Sequence, residues 1–341
     1  MLHLGLRKPS LWAGLPAPFK QLIQMRLTAF LFVLLLATSR LAQATTWDEP
    51  WHETVVKKAD CFVLARITAV DAQKGITVSV VRSLAGEPLA GTLRITEFYS
   101  LDLCSQSAGE GPEFRLGSVD SCYFFLQKRP AGTYAIATPT TGFAAVQQGQ
   151  VVATYRHSYH QALVPRTVYE PTMTAIFQHY HGQAYDKEAI NQFVAKTLAL
   201  PPARIDEAGM PTFFAEHAAL ETTYHLGLPT HYAAALPFLR DTTNFHAQVS
   251  AARVLAATPT PEAKQQLLQL LANKHTRDFV KVVAVRTLAA YQPRELKPQL
   301  LKLAQTASAE ENGFGGNIMD PRVCTQLPSV KKSLTDLAAQ L

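Results

Sequence analysis

One stretch of this 341-residue chain is written twice. Val249-Ser-Ala-Ala-Arg-Val-Leu-Ala-Ala aligns with Val282-Val-Ala-Val-Arg-Thr-Leu-Ala-Ala at an offset of 33 residues. The same offset carries Arg253 onto Arg286, Leu255 onto Leu288, and Leu267, Leu268 and Leu270 onto Leu300, Leu301 and Leu303. A unit this short cannot bury an apolar face alone, so recurrence at a fixed period predicts helix pairs stacked on one another. A fainter earlier copy runs from Phe213 through Leu239, and a last helix is expected over about Pro328–Leu341. Residues 210–341 are therefore read as a helical array.

The first half has a different period. Cys61–Val70, Gly75–Arg82, Gly91–Phe98, Ser121–Leu126, Gly132–Ala137 and Gly149–Tyr155 are rich in β-branched and aromatic residues. Clusters such as Gly86-Glu87-Pro88 separate them, the pattern of strands between turns. Ile76, Val78 and Val80 alternate with Thr77 and Ser79, as a half-buried antiparallel strand requires. Short strands at this spacing predict a small antiparallel barrel over residues 45–165. Between the halves, 166–209 reads as a connecting segment with one helix, Lys187–Leu198, capped by Asp186 and ended by Pro201-Pro202. The expected fold class is α+β in two domains: barrel first, helical solenoid second.

Two resemblances follow. The Ala-rich stretch from Val249, then Thr260-Pro261, then Ala263-Lys-Gln-Gln-Leu-Leu-Gln-Leu-Leu is similar to the short HEAT-like repeat of bacterial proteins. Thr260 stands where a helix cap is favoured and Pro261 where a first helical residue is. Ala59-Asp-Cys-Phe-Val-Leu-Ala-Arg-Ile, Val78-Ser-Val-Val-Arg-Ser-Leu-Ala-Gly86 and Phe114-Arg-Leu-Gly117 with Cys122-Tyr-Phe-Phe-Leu more loosely resemble the netrin-like, OB-type barrel of secreted proteins. Tissue inhibitors of metalloproteinases share that barrel and use an N-terminal Cys. Here the expected mature start, Thr45, has no Cys beside it, so that activity does not carry over.

Residues 1–44 hold five basic residues and no acid; the apolar run 27–38 follows Arg26 and precedes Ala42-Gln43-Ala44. That is a secretory signal with cleavage before Thr45, and Met25 is an alternative true start. Without this stretch, 27 bases face 26 acids, so general basicity no longer argues for a nucleic-acid partner. The mature chain is expected to be exported, periplasmic or extracellular, with no transmembrane segment. In an oxidising compartment Cys61, Cys104, Cys122 and Cys324 allow three full pairings. Cys104–Cys122 is the favoured one, because both flank one loop.

Among chemically suggestive residues, His157 and His160 form an HxxH spacing, and His179 and His181 an HxH spacing that places two imidazoles on one face of a strand. These four are the metal-site candidates; the alternative is a solvated, Tyr-rich connector. No HExxH, nucleophile elbow or phosphate cradle occurs, Gly313-Phe-Gly-Gly316 reading as an insertion, so no cofactor is expected. Arg253 and Arg286 share one repeat position, where an arginine stem packs between helices. Residues 245–305 carry nine Lys/Arg against three acids, an excess suited to an acidic partner or an outer solvated face.

The leading functional expectation is an exported, non-enzymatic binding or scaffold protein that meets a protein partner through its helices. A periplasmic metal-dependent enzyme and a secreted protease inhibitor are the alternatives. Intact-mass measurement on the exported protein should find Thr45 at its N-terminus; recovery of residues 1–24 on it would contradict the processing.

Overall fold

The strand β5 (Ser121–Lys128) closes the first half of the fold. On one edge it pairs antiparallel with β2 (Cys61–Asp71), Phe62 opposite Phe125. On its other edge it pairs with β6 (Tyr134–Ala135) and β7 (Phe143–Gln147). With β3 (Gly75–Gly86) and β4 (Thr92–Glu97), the ring β2–β3–β4–β6–β5 returns to β2 as a five-stranded barrel. Three further strands extend the sheet: β7, β8 (Gln150–His157) and β9 (His160–Pro165). The computed structural model describes residues 47–48, 50–71, 74–97, 121–137, 141–157, 160–315 and 323–341. The expected signal segment 1–44 and Cys104 lie outside them.

Cys61–Ala65 of β2 and Cys122–Leu126 of β5 read as unbroken apolar runs because both of their faces are covered there. Cys61, Val63, Ala65, Cys122, Phe124 and Leu126 fill the barrel with Ile76, Val78 and Ile95. Their neighbours Phe62, Leu64, Tyr123 and Phe125 point the other way, into a second core that continues through the helices. Phe62 stacks on Phe125 with centroids 4.6 Å apart, and Tyr123 leans on Tyr169 at 4.8 Å. The barrel wall is thus one side of the helical core.

Ten α-helices lie among the described residues. The helix α1 (His52–Lys58) precedes the barrel, and α2 (Arg166–Tyr180) and α3 (Lys187–Leu198) follow it. The segment 166–209 therefore holds two helices rather than the one expected. Pro171, which removes a backbone donor inside α2, hid that helix from a sequence reading. Asp186 does cap α3, accepting from the Ala189 N–H at 3.0 Å.

The repeated stretches fold as α6 (Phe245–Val254) with α7 (Pro261–Ala272), and α8 (Asp278–Ala290) with α9 (Lys297–Thr306). Thr260 caps α7, its hydroxyl accepting from the Ala263 N–H at 3.2 Å. Ahead of them stand α4 (Met210–Leu226) and α5 (Tyr232–Arg240), and α10 (Val330–Gln340) closes the chain. α4 packs on α6, α6 on α8 and α8 on α10, so the repeat sets its first helices side by side.

The stretch Gly313–Gly315, expected as an insertion, lies in a strand. β10 (Asn312–Gly315) pairs with β11 (Val323–Leu327), and β11 pairs in parallel with β1 (Trp47–Asp48). That small sheet ties the N-terminal arm to the end of the helical half.

Gly86 ends β3 at φ +79°, a conformation other residues rarely adopt. A Cβ there would stand 2.8 Å from Cys61 Cα and 2.9 Å from Phe177 Cζ, against the carbonyl of Asp60. Gly86→Ala should lower stability by on the order of 3 kcal/mol, from backbone strain and steric overlap together. Urea denaturation checks this, and a midpoint unchanged from the parent would refute the close approach.

Candidate functional site

Where α1, α4, α6 and β8 meet, four charges alternate in a line. Glu53 Oε2 lies 3.2 Å from Arg253 Nη2, Arg253 Nη1 lies 3.4 Å from Glu221 Oε2, and Glu221 Oε1 lies 3.8 Å from Arg156 Nη1. Glu221, Arg156 and Arg253 are buried at 0, 2 and 4% exposure. Such ions are tolerable only when each finds an opposite partner. Burial pulls Arg253 toward deprotonation, but Glu221 and Glu53 outweigh it and hold the pKa above the ordinary arginine value. Burial likewise works to raise the Glu53 pKa, and Arg253 overrides it, bringing the carboxyl down to about 2. Arg156, with Glu221 its nearer compensation, is lowered by burial to about 10 and remains cationic at neutral pH.

Four histidines surround this line, and their environments keep them neutral. His225 donates from Nε2 to the Tyr155 carbonyl at 2.6 Å, since a carbonyl can only accept. Its Nδ1 therefore accepts from the Tyr180 hydroxyl at 2.7 Å. His52 sits edge-on to Phe125 at 5.1 Å with neither ring nitrogen hydrogen-bonded. Burial, then repulsion from His225, pushes its pKa down to about 3. Burial and Arg156 bring His246 to about 3, and burial sets His217 well below its ordinary value.

His217, Ser250 and Glu221 come together in a grouping that spacing did not suggest. Ser250 Oγ lies 3.2 Å from His217 Nδ1 and donates to Glu221 Oε1 at 2.7 Å. The serine's one proton is thus given to the carboxylate, and the imidazole must donate to the oxygen rather than take its proton. An activated nucleophile needs the opposite arrangement. With exposures of 1, 0 and 0% for His217, Ser250 and Glu221, no substrate reaches it. This is a structural network.

The line of charges surfaces at a cleft of about 210 Å³ lined by Trp51, Glu53, Tyr224, Arg253, Val283 and Arg286, among others. Trp51 lies just ahead of α1 and covers both repeat-position arginines. Its ring centroid is 4.6 Å from Arg253 Cζ and 5.6 Å from Arg286 Cζ, within range of cation–π attraction. Arg253 is also stacked on Tyr224 at 4.0 Å, and Tyr224 donates to Glu53 at 3.1 Å. Arg253 is held by carboxylates and aromatic rings, a richer role than packing its stem. Arg286 is exposed and has no ion-pair partner among the described residues. Partial burial, then the neighbouring Arg253, press its pKa below the usual arginine range.

His179 and His181 do not converge in this way. His181 donates from Nε2 to the Val56 carbonyl at 3.1 Å and stacks on Phe177, while His179 leans toward Tyr180 and Tyr185. His157 and His160 oppose each other in the β8–β9 register, and their side chains lie outside the described residues. No group of three or more His, Cys, Asp or Glu placed to hold a metal occurs among the described residues. Cys122 and Cys61 are buried in the barrel, four positions apart along the β2–β5 pair, and burial raises both thiols to about 12. The expected partner Cys104 lies outside the described residues. No described helix is long and apolar enough to cross a membrane. No family model, curated protein or solved structure matches the chain.

Because the buried histidines have lowered pKa values, the unfolded chain binds protons below pH 6.5 that the folded chain refuses until about pH 3. Stability is full above the unfolded value and falls as pH drops through that window, by about 1.4 kcal/mol per unit for each such histidine. Urea midpoints should be flat above neutrality and fall steadily below it. His52→Phe, which keeps the aromatic contact, should make the fall shallower; an unaltered slope would remove His52 from the account.

Proposed function

We propose that this chain is an exported binding protein, a netrin-like barrel joined to HEAT-like helix pairs, and that it holds its partner at the Trp51 cleft. The observation that carries this reading is Arg286. It is an exposed guanidinium at the mouth of an aromatic-walled cleft, beside a second arginine whose charge is already matched. Unmatched charge next to apolar wall is the arrangement of a recognition site, where a few polar groups fix orientation and the walls supply area. The buried Ser250–His217–Glu221 group offers no chemistry to a ligand, which favours binding over turnover. The stacked helices supply a side face for a larger partner, as repeat arrays do.

The test is capture from the native envelope extract with the mature chain as bait. Arg286→Glu reverses the charge at the mouth and should abolish capture. Lys302→Glu makes the same change at an exposed position on α9 and should leave capture intact. A partner set retained by Arg286→Glu would overturn the assignment of the cleft.

A further inference from the structure

The cleft has a charge and a shape that narrow what it takes, given the reading of it as the binding site. Arg156 and Arg253 are matched by Glu53 and Glu221, and Arg286 is matched by nothing among the described residues. One positive charge is left over, and it stands at the mouth. Glu53 itself lines the cleft, so a second negative charge on a ligand would meet a carboxylate. Behind Arg286 the walls are Trp51, Tyr224, Ala256, Val283 and Ala290, largely apolar. A volume of about 210 Å³ exceeds the ~150 Å³ that accepts a benzene ring.

We infer that the cleft binds a singly charged organic carboxylate, with its head group on Arg286 and an apolar body against Trp51 and Tyr224. A planar guanidinium meets a carboxylate through two parallel N–H···O bonds, which a lysine does not reproduce. A phosphate, at about −1.5 to −2 near neutrality, overfills a single unmatched charge. The same chemistry is offered by a free organic acid and by the C-terminus of a peptide.

The chain from Thr45 to Leu341 holds two tryptophans, Trp47 and Trp51, so Trp47→Phe leaves Trp51 as the sole reporter of the cleft. In that background, hexanoate, 3-phenylpropionate, inorganic phosphate, and a glycine-rich pentapeptide ending in leucine, with free or amidated C-terminus, are titrated by fluorescence and calorimetry. The carboxylates should bind and the amide should lose at least about tenfold. Arg286→Met should lose a similar factor and Arg286→Lys should fall between. Tighter binding of the free-terminus peptide than of the small acids identifies a chain terminus as the source; the reverse identifies a free acid. Phosphate binding as tightly as any carboxylate would overturn the ligand class while leaving the cleft as the binding site. Carboxylate affinity indifferent to Arg286→Met would overturn the head-group assignment. Silence of every probe, with capture from extract still lost in Arg286→Glu, would overturn the carboxylate alone; silence with capture retained would remove the cleft reading too.

Discussion

The carboxylate of Glu221 is the hinge of this structure. Wholly buried, it reaches Arg156 on β8, in the sheet that extends from the barrel, with one oxygen and Arg253 on the repeat helix α6 with the other. Taking these ions from water costs several kcal/mol each, recovered only while all partners stay in place. The barrel and the helices therefore cannot shift independently without exposing one charge to apolar surroundings. Glu53 extends the same line to α1, so three parts of the chain distant in sequence are fixed by one alternating series. Ser250 adds a hydrogen bond to Oε1 of Glu221, and the same hydroxyl oxygen meets the neutral His217.

What could be seen in the sequence was whatever depends on neighbours. The offset that carries Arg253 onto Arg286 placed two arginines on adjacent packed helices, and Thr260 and Asp186 cap the helices they were expected to cap. Strand content in the first half was legible because β-branched and aromatic residues cluster between turns, though β7 and β9 were missed: Phe143–Gln147 and His160–Pro165 lack a clear alternation. What could not be seen is long-range. Glu53 and Arg253 are 200 positions apart, and nothing local in His52-Glu53-Thr54 signals an ion pair. Arg156 stands directly before the HxxH motif, and nothing local to it signals its buried partner Glu221 far along the chain. The two arginines were visible as a pattern, but their meaning depends on Trp51, which arrives from the far end of the chain.

That arrival is itself explained by backbone pairing. β1 runs parallel to β11, which packs at the end of the repeat region, so the arm leading into α1 is held before Trp51 is reached. Once Trp51 covers both arginines, the side face of α6 and α8 becomes a cleft instead of a flat surface. The helix α1, which leads into the barrel, thus brings Trp51 to the cleft and is anchored there by Glu53 on Arg253.

Neutral histidines are what make this balance workable. A proton on His52, His217 or His225 would add a cation to a cluster whose buried arginines already use both carboxylates, and burial would deny it water as an alternative partner. The tautomer of His225 is pinned by a carbonyl on one side and a phenol on the other, which leaves its ring no free lone pair to protonate. The excess charge is therefore confined to Arg286, the most exposed member of the group. An unmatched charge and a buried ion-pair series ordinarily conflict, since the series leaves no carboxylate to spare. Here the repeat resolves the conflict by giving the same residue type at the same helical position two surroundings: Arg253 inside, between carboxylates, and Arg286 one repeat farther out, beyond their reach.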